Sequence, residues 1–447
     1  MHLNFKHILF AVSSALFFSF PCTNAQSNQP VSNTLKISYQ MRPRLEFRDG
    51  AFTPIAKNIR PAALVTQRDR LKIDYSYQDI LSVRIAPQVV SIWGQANMVQ
   101  GAEMNGNQIS MFESWANLKL AENWNIQFGR QVISLDDERF FGELDWAQGG
   151  RAHDAFGIFY KNDKLEAKGY FAFNQNYKAL YGNNLSNPVG NFYNTTDAFP
   201  YKTMQTLWAV LPINETIKIT ALATNLGFQN VIIGLPASKT KFMQTFGLNF
   251  FEKGKTLSFT ASAYFQTGDK LSAYLGSVSA DYLLNNHWKL GLGSDYLSGN
   301  DVGYTNAENH AFNPLFNTGH KFYGFIDYFY AGNPHGGAGL SDNYARLNYK
   351  SDKGFSFDLA LHQFFTPNKV RVLLEEYEAN LGQELDITLS YKINDFVNLI
   401  GGYSLLLNTN TLNVLKSAPN ARGYQQWGWM SLNINPTLFK TNFNSNK

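Results

Sequence analysis

Ten basic residues fall between positions 34 and 94: Lys36, Arg42, Arg44, Arg48, Lys57, Arg60, Arg68, Arg70, Lys72 and Arg84. Only five acids accompany them, Glu46, Asp49, Asp69, Asp74 and Asp79. Arg42, Arg44, Glu46 and Arg48 share one parity, and Arg68, Arg70 and Lys72 repeat the pattern further on. A two-residue spacing puts side chains on one face of a strand, and neighbouring strands lie about 4.8 Å apart. These residues would therefore tile one wall with cations. A guanidinium grips a carboxylate in a planar fork and keeps its charge at any working pH. A low-dielectric wall of one sign concentrates the opposite ion, so the predicted chemistry is anion attraction. The plainer alternative is a set of wall salt bridges to Glu46 and Asp74.

A second cluster mixes both signs: Gly129-Arg130-Gln131, Asp136-Asp137-Glu138-Arg139, Gly142, Trp146, Arg151 and Asp154. It suits an ion-paired constriction, or the packing of an inward-folded loop. Signals for bond-making chemistry are weak. Past the first 25 residues there are six histidines, and none forms a two-His metal motif such as H-E-x-x-H. His153 beside Asp154 is the best candidate base, but no nucleophile motif accompanies it; a hydrogen bond in lumen or loop is its expected role. His320 and His362 are expected to pack and hydrogen-bond. Gly336-Gly337-Ala338-Gly339 lacks the lysine and helix of a phosphate loop. No catalytic residue, metal or cofactor is expected. An adhesive surface protein is the rival from a third class, served by Asn-rich stretches such as 181–197.

The elements that must hold these residues alternate with period two. Leu35, Ile37, Tyr39, Met41, Leu45 and Phe47 face one way while the charged set faces the other. Segments around 165–173, 257–265, 355–361 and 385–391 repeat the pattern. Eight tight polar turns are expected, at 78–80, 121–123, 161–164, 212–215, 252–255, 285–286, 351–353 and 392–395. Most are flanked by an aromatic such as Trp124, Tyr160 or Trp288, a ring suited to headgroup depth. Nine longer stretches alternate with them, from 49–63 through 267–271 and 298–340 to 408–423. Eight turns and nine loops give 18 antiparallel strands; sixteen is the other count compatible with the pattern. Residues 321–330 also alternate, but as a spanning strand they would break up-down parity, so a hairpin inside the 298–340 loop is expected.

Composition agrees. The 447-residue chain has 16% charged and 15% aromatic residues, against roughly 25% charged in soluble proteins. Its mean hydropathy is -0.26, and after residue 25 no apolar run nears the ~20 residues of a spanning helix. The fold class is all-β, a transmembrane antiparallel barrel with short periplasmic turns and long extracellular loops. A soluble solenoid or pair of sandwiches is the alternative. The net charge of +4 argues against a nucleic-acid partner. Lys6, the apolar stretch 8–20 and Thr23-Asn24-Ala25 read as a signal peptide over 1–25, followed by a single barrel over 26–447. The only cysteine, Cys22, falls in that leader. The first strand begins about ten residues later, too soon for an N-terminal plug domain.

Gly129-Arg130-Gln131, Asp137, Arg139, Gly142, Trp146 and the Arg151-to-Asp154 step resemble the signature of the alginate export family of outer-membrane proteins. Arg42-x-Arg44-x-Glu46 and Arg68-x-Arg70-Leu71 are similar to its first two strands. His320-x-Phe322-x-Gly324-x-x-Asp327, Gly339-Leu340-x-Asp342, His362 and Gly382-x-Glu384-Leu385-Asp386 continue the resemblance, which spans about 35–434 in order. It implies a monomeric 18-stranded barrel in outer-membrane lipid, with an electropositive constriction that passes anionic polysaccharide, and periplasmic export machinery as partner. On it, Arg42, Arg44, Arg68, Arg70, Arg130, Arg139 and Arg151 are the expected lumen cations, joined by Arg48 and Lys72 through their parity on the wall. Glu46 and Asp154 are the acids expected to orient them, and Asp137 is a further expected lumen residue. Two departures stand out: Phe439 and Phe443 lie in a tail beyond Ile434, and the basic excess fades after residue 200. The second leaves another anionic glycan or small anions as the expected alternative cargo, as for a general anion-selective porin. A barrel-borne hydrolase is the remaining alternative.

Overall fold

A computed structural model describes residues 32–50, 52–94, 109–174, 201–228, 239–329 and 337–444. The expected leader, Cys22, the 181–197 stretch and His335 lie outside the described residues. Among those described, no helix is long and apolar enough to cross a membrane.

Alternation builds the wall. On β1 (Ser32–Arg48), Leu45 and Phe47 are exposed while Arg42, Arg44 and Glu46 are buried. The next strands are β2 (Ala62–Tyr77), β3 (Leu81–Ile92), β4 (Ser110–Ala121), β5 (Trp124–Gln131) and β6 (His153–Lys161). Then come β7 (Glu166–Phe173), β8 (Thr203–Pro212), β9 (Ile217–Phe228), β10 (Lys241–Lys253), β11 (Leu257–Gly268), β12 (Leu271–Leu283) and β13 (Trp288–Leu297). β14 (Leu340–Lys350) and β15 (Phe355–Phe365) precede a small separate hairpin, β16 (Val370–Val372) and β17 (Glu375–Tyr377). The chain ends with β18 (Asn380–Lys392), β19 (Val397–Asn408), β20 (Tyr424–Ile434) and β21 (Thr437–Asn444).

Each wall strand pairs antiparallel with the next, and β20 and β21 both pair with β1, closing an 18-stranded barrel with no free edge. β20 and β21 together make the closing strand. Its break falls at Asn435-Pro436, where proline cannot donate to the ladder. Phe439 and Phe443 therefore belong to the wall rather than to a tail: they stand opposite Ile37 and Asn33, and Phe443 stacks on Tyr75.

All eight tight turns join strands where expected, and four share one device. Asn162, Asn214, Asn285 and Asn394 each accept backbone N–H groups two and three residues ahead, at 2.8–3.0 Å. This local bond lets asparagine mimic a turn of backbone. Aromatic pairs flank the same end: Trp124 with Tyr160 at 4.9 Å and Trp288 with Tyr349 at 4.8 Å. On the opposite side, the connection expected over 267–271 is only Asp269-Lys270.

The 321–330 segment departs from expectation. Among the described residues, up to 329, no hairpin strand forms; a 3-10 turn (Gly319–Lys321) leads into irregular backbone that folds inside the barrel. Tyr323, Ile326, Tyr328 and Phe329 are all buried, on both parities. Partners on the wall replace a strand ladder: Ile326 N–H donates to Glu384 Oε1 at 2.8 Å and Phe325 N–H to Asp386 Oδ2 at 3.3 Å, both from β18. Gly324 has φ +81°, and a Cβ there would meet the Glu384 carboxylate at 2.6 Å, so only glycine lets the loop lie this close.

The outward face carries the apolar residues. Leu248, near the middle of β10, is 58% exposed, while its inward neighbours Thr245 and Asn249 are buried. An arginine at a lipid midplane costs about 2–4 kcal/mol. We therefore expect Leu248→Arg to lower barrel stability by about that amount in phospholipid vesicles, read from urea titration. No loss would mean that this face does not meet lipid.

Candidate functional site

Two segments fill the middle of the barrel. The 132–152 loop crosses from the β1–β3 wall to the opposite wall, where Asp136 accepts Trp208 Nε1–H at 3.0 Å and Asn249 Nδ2–H at 3.1 Å. It packs on the 298–339 loop through Phe140, Phe141, Phe312 and Phe316, with Phe141 and Phe316 stacked at 5.1 Å. Burying each such ring contributes about 1.5–3 kcal/mol, which anchors irregular backbone against water.

The β1–β2 cations meet this loop. Asp145 carries the contact: Arg68 Nη2 lies 2.8 Å from Oδ1, Arg42 Nη1 3.2 Å from Oδ2, and Arg70 Nη1 3.8 Å from Oδ1. Three guanidinium groups surround one carboxylate. Burial works to raise the Asp145 carboxyl, but Arg68 and Arg42 outweigh it and hold it below the usual carboxylate range. Arg42 also donates to Gln148 Oε1 and to the Trp146 and Ala147 carbonyls. Arg44 donates to the Trp146 carbonyl at 2.9 Å, lies over the Trp146 ring, and pairs with Glu46 at 2.8 Å. Glu46 in turn accepts from Trp427 on β20. Arg70 is held by Gln88 of β3 and stacks over Phe112 at 3.5 Å. Arg48 donates to the Ile326 carbonyl, so it clasps the second loop.

Arg139 and Asp137 form a separate junction. Arg139 bonds Asp137 at 2.8 Å and Asp295 of β13 at 2.6 Å, and stacks over Phe322 at 4.3 Å. Arg151 donates to the Asn317 carbonyl at 2.8 Å, tying the two loops together. His320 stacks on Trp146 at 4.0 Å and bonds Asp327; His362 bonds Asp342 at 2.9 Å. His153 is buried and bonds Tyr201 Oη at 2.9 Å.

Lys72 faces a cavity of about 440 Å³ on the short-turn side of the loop, with Gln40, Arg84, Glu113, Trp115 and Glu143. Arg84 pairs there with Asp74 and Glu113.

Arg130 and Asp154 are a correction. They were expected in the lumen, but they lie on the outer face, forked to each other at 2.7 and 2.8 Å. Arg130 shares parity with exposed Phe128 and Trp124, while Gln131 and His153 take the inward positions. Mutual neutralisation at the strand ends is what permits charge on this face.

Sequence reasoning missed Asp145 and Asp295 as the partners of these arginines. Asp145 is separated from Arg42 by 103 positions, and a lone acid within a mixed run carries no periodic signal. Glu384 and Asp386 stood only in the family resemblance; their parity on an inward strand face was the signal available.

The family model describing alginate export matches residues 33–418, close to the expected 35–434. No curated protein sequence matches the chain. Among solved structures, OccAB1 of Acinetobacter baumannii superposes with a TM-score of 0.59 at 13% identity, covering 91% of this chain and 97% of that one. OccK8 (OprE) of Pseudomonas aeruginosa gives 0.60 at 12%, covering 91% and 98%. OpdK of Pseudomonas aeruginosa, whose structure was determined with vanillate, gives 0.59 at 9%, covering 90% and 98%. At these identities the likeness is one of fold, and that fold is the outer-membrane barrel. Its closed 18-stranded wall and the family match across most of its length place this chain in the alginate export family, as an outer-membrane channel.

Proposed function

We propose that this channel prefers anions and passes carboxylate-bearing solutes along the arginine wall of β1 and β2. One observation carries the reading: Arg42, Arg68 and Arg70 converge on the single carboxylate of Asp145. The surplus positive charge sits in a narrow, partly dry place, where one sign of charge concentrates its counter-ion. A passing carboxylate can exchange with Asp145 on the same guanidinium forks. The half-exposed Asp145 is the hydrated side of the clasp, and contacts there, each worth at most ~1 kcal/mol, admit a solute and still release it.

The family match supports polyuronate as cargo, moved outward by periplasmic machinery. The crossing loop favours a small carboxylate while it stays docked, and the vanillate found with OpdK is a ligand of that kind. Under this reading the chain is a transporter rather than an enzyme, reaches the outer membrane after loss of residues 1–25, and acts as a monomer.

Solute uptake into proteoliposomes tests the proposal. Glucuronate should enter at least threefold faster than glucose, and the triple replacement of Arg42, Arg68 and Arg70 by Gln should erase the difference. Entry of guluronate oligomers would favour the polymer; their exclusion with rapid glucuronate entry would favour small anions. Equal rates for glucuronate and glucose in the unaltered protein would reject anion preference.

A further inference from the structure

The cavity on the short-turn side of the 132–152 loop differs in charge from the constriction above it. Three cations, Arg70, Lys72 and Arg84, line it together with three acids, Glu113, Glu143 and Asp145. Four of these six are committed elsewhere. Arg84 is held by Asp74 and Glu113, Glu113 also accepts Trp115 Nε1–H at 3.0 Å, and Asp145 is surrounded by arginines. Arg70 is occupied by Gln88 and the face of Phe112.

Lys72 and Glu143 are left. Among the described residues neither comes within 4.0 Å of an opposite charge or within hydrogen-bond distance of a side chain. One uncommitted ammonium and one uncommitted carboxylate thus face the same space of about 440 Å³. That volume lies in the usual range for small-molecule sites, roughly 300–1,000 Å³. The lining is otherwise mostly polar, with a small apolar surface from Trp115 and Val132.

We propose that this cavity is a binding site for a zwitterion of amino-acid type with an apolar side chain. The ligand carboxylate would lie on Lys72, its ammonium on Glu143, and its side chain against Trp115. Charge balance decides the class. A simple anion gains Lys72 but meets Glu143, whereas a simple cation meets Lys72; only a ligand carrying both charges satisfies both groups. The site rests on the proposed reading of the lumen as a water-filled passage. It does not rest on anion preference, which is a property of the Asp145 clasp at the edge of the cavity.

Titration calorimetry of the detergent-solubilised protein tests it, with L-phenylalanine, 3-phenylpropionate, phenethylamine and glucuronate as probes. Phenylalanine should bind at least fivefold more tightly than either single-charge analogue and than glucuronate. Glu143→Gln should weaken phenylalanine about fivefold and leave phenylpropionate unchanged or tighter. Lys72→Gln should weaken phenylalanine and spare phenethylamine. Phenylpropionate or glucuronate binding as tightly as phenylalanine would overturn the assignment, as would no measurable binding of any probe. The analogue comparison uses the unaltered protein, so it stands whatever the variants do. Zwitterion binding without glucuronate-over-glucose uptake would reject the transport reading alone, and the reverse result would reject the site alone.

Discussion

Replacing Asp145 by Ala should raise single-channel conductance at least threefold. The carboxylate gathers Arg42, Arg68 and Arg70 onto the loop that crosses the lumen, beside the bonds of Arg42 and Arg44 to the Trp146 carbonyl and of Arg42 to Gln148. Arg68 is fully buried, so without Asp145 its charge must find water or another acid. Breaking a buried pair by removing one partner costs about 3–5 kcal/mol; the half-exposed Asp145 puts this case toward or below the lower end. The cheapest relief is for residues 143–145 to leave the wall and admit water, while Trp146 and Gln148 stay on Arg42 and Arg44. The loop's far end remains fixed through Asp136 and the Phe140–Phe141 cluster, so the barrel should stay folded while the passage widens. Because Asp145 is held below the ordinary carboxylate range, its docking contribution is present at neutral pH. It is lost only as pH falls through that lowered value, below the ~3.9 of a free aspartate. Unchanged conductance in planar bilayers would show that the loop is held by something other than this clasp.

The second large effect concerns stability. Arg139→Ala leaves Asp295 buried with Ser277 Oγ as its one remaining hydrogen-bond partner among the described residues, and removes the guanidinium stacked on Phe322. Both ion-pair partners are almost fully buried, so the loss should approach about 3–5 kcal/mol. A drop of that size should appear as a marked fall in the thermal midpoint of near-ultraviolet circular dichroism, which reports the packed aromatic loops. The double replacement Arg139→Met with Asp295→Leu should recover much of it, since no unpaired charge then remains. If the double variant is as unstable as the single one, the junction matters through shape rather than charge.

The wall was legible in the sequence because its physics is local. Asparagine at positions 162, 214, 285 and 394 makes a turn with its own neighbours, and period-two alternation needs no distant partner. The inside of the barrel was less legible. Tyr323, Ile326 and Tyr328 fall in a run that looks like a strand, yet Glu384 and Asp386, some 58 to 61 positions away, take up its backbone N–H groups. Arg130 was misplaced for a related reason. A charge on the outer face is excluded only when it stands alone, and Asp154 reaches it from the next strand. Arg42, Arg44, Arg68 and Arg70 share the buried parity of β1 and β2, but the carboxylate that gathers three of them belongs to a distant loop.

The reversal potential of the purified protein in a planar bilayer under a potassium chloride gradient bears most directly on the account. A potential displaced toward the chloride equilibrium value is expected, moving back toward zero when Arg42, Arg68 and Arg70 are replaced together by Gln. A potential at zero or on the potassium side in the unaltered protein would contradict it.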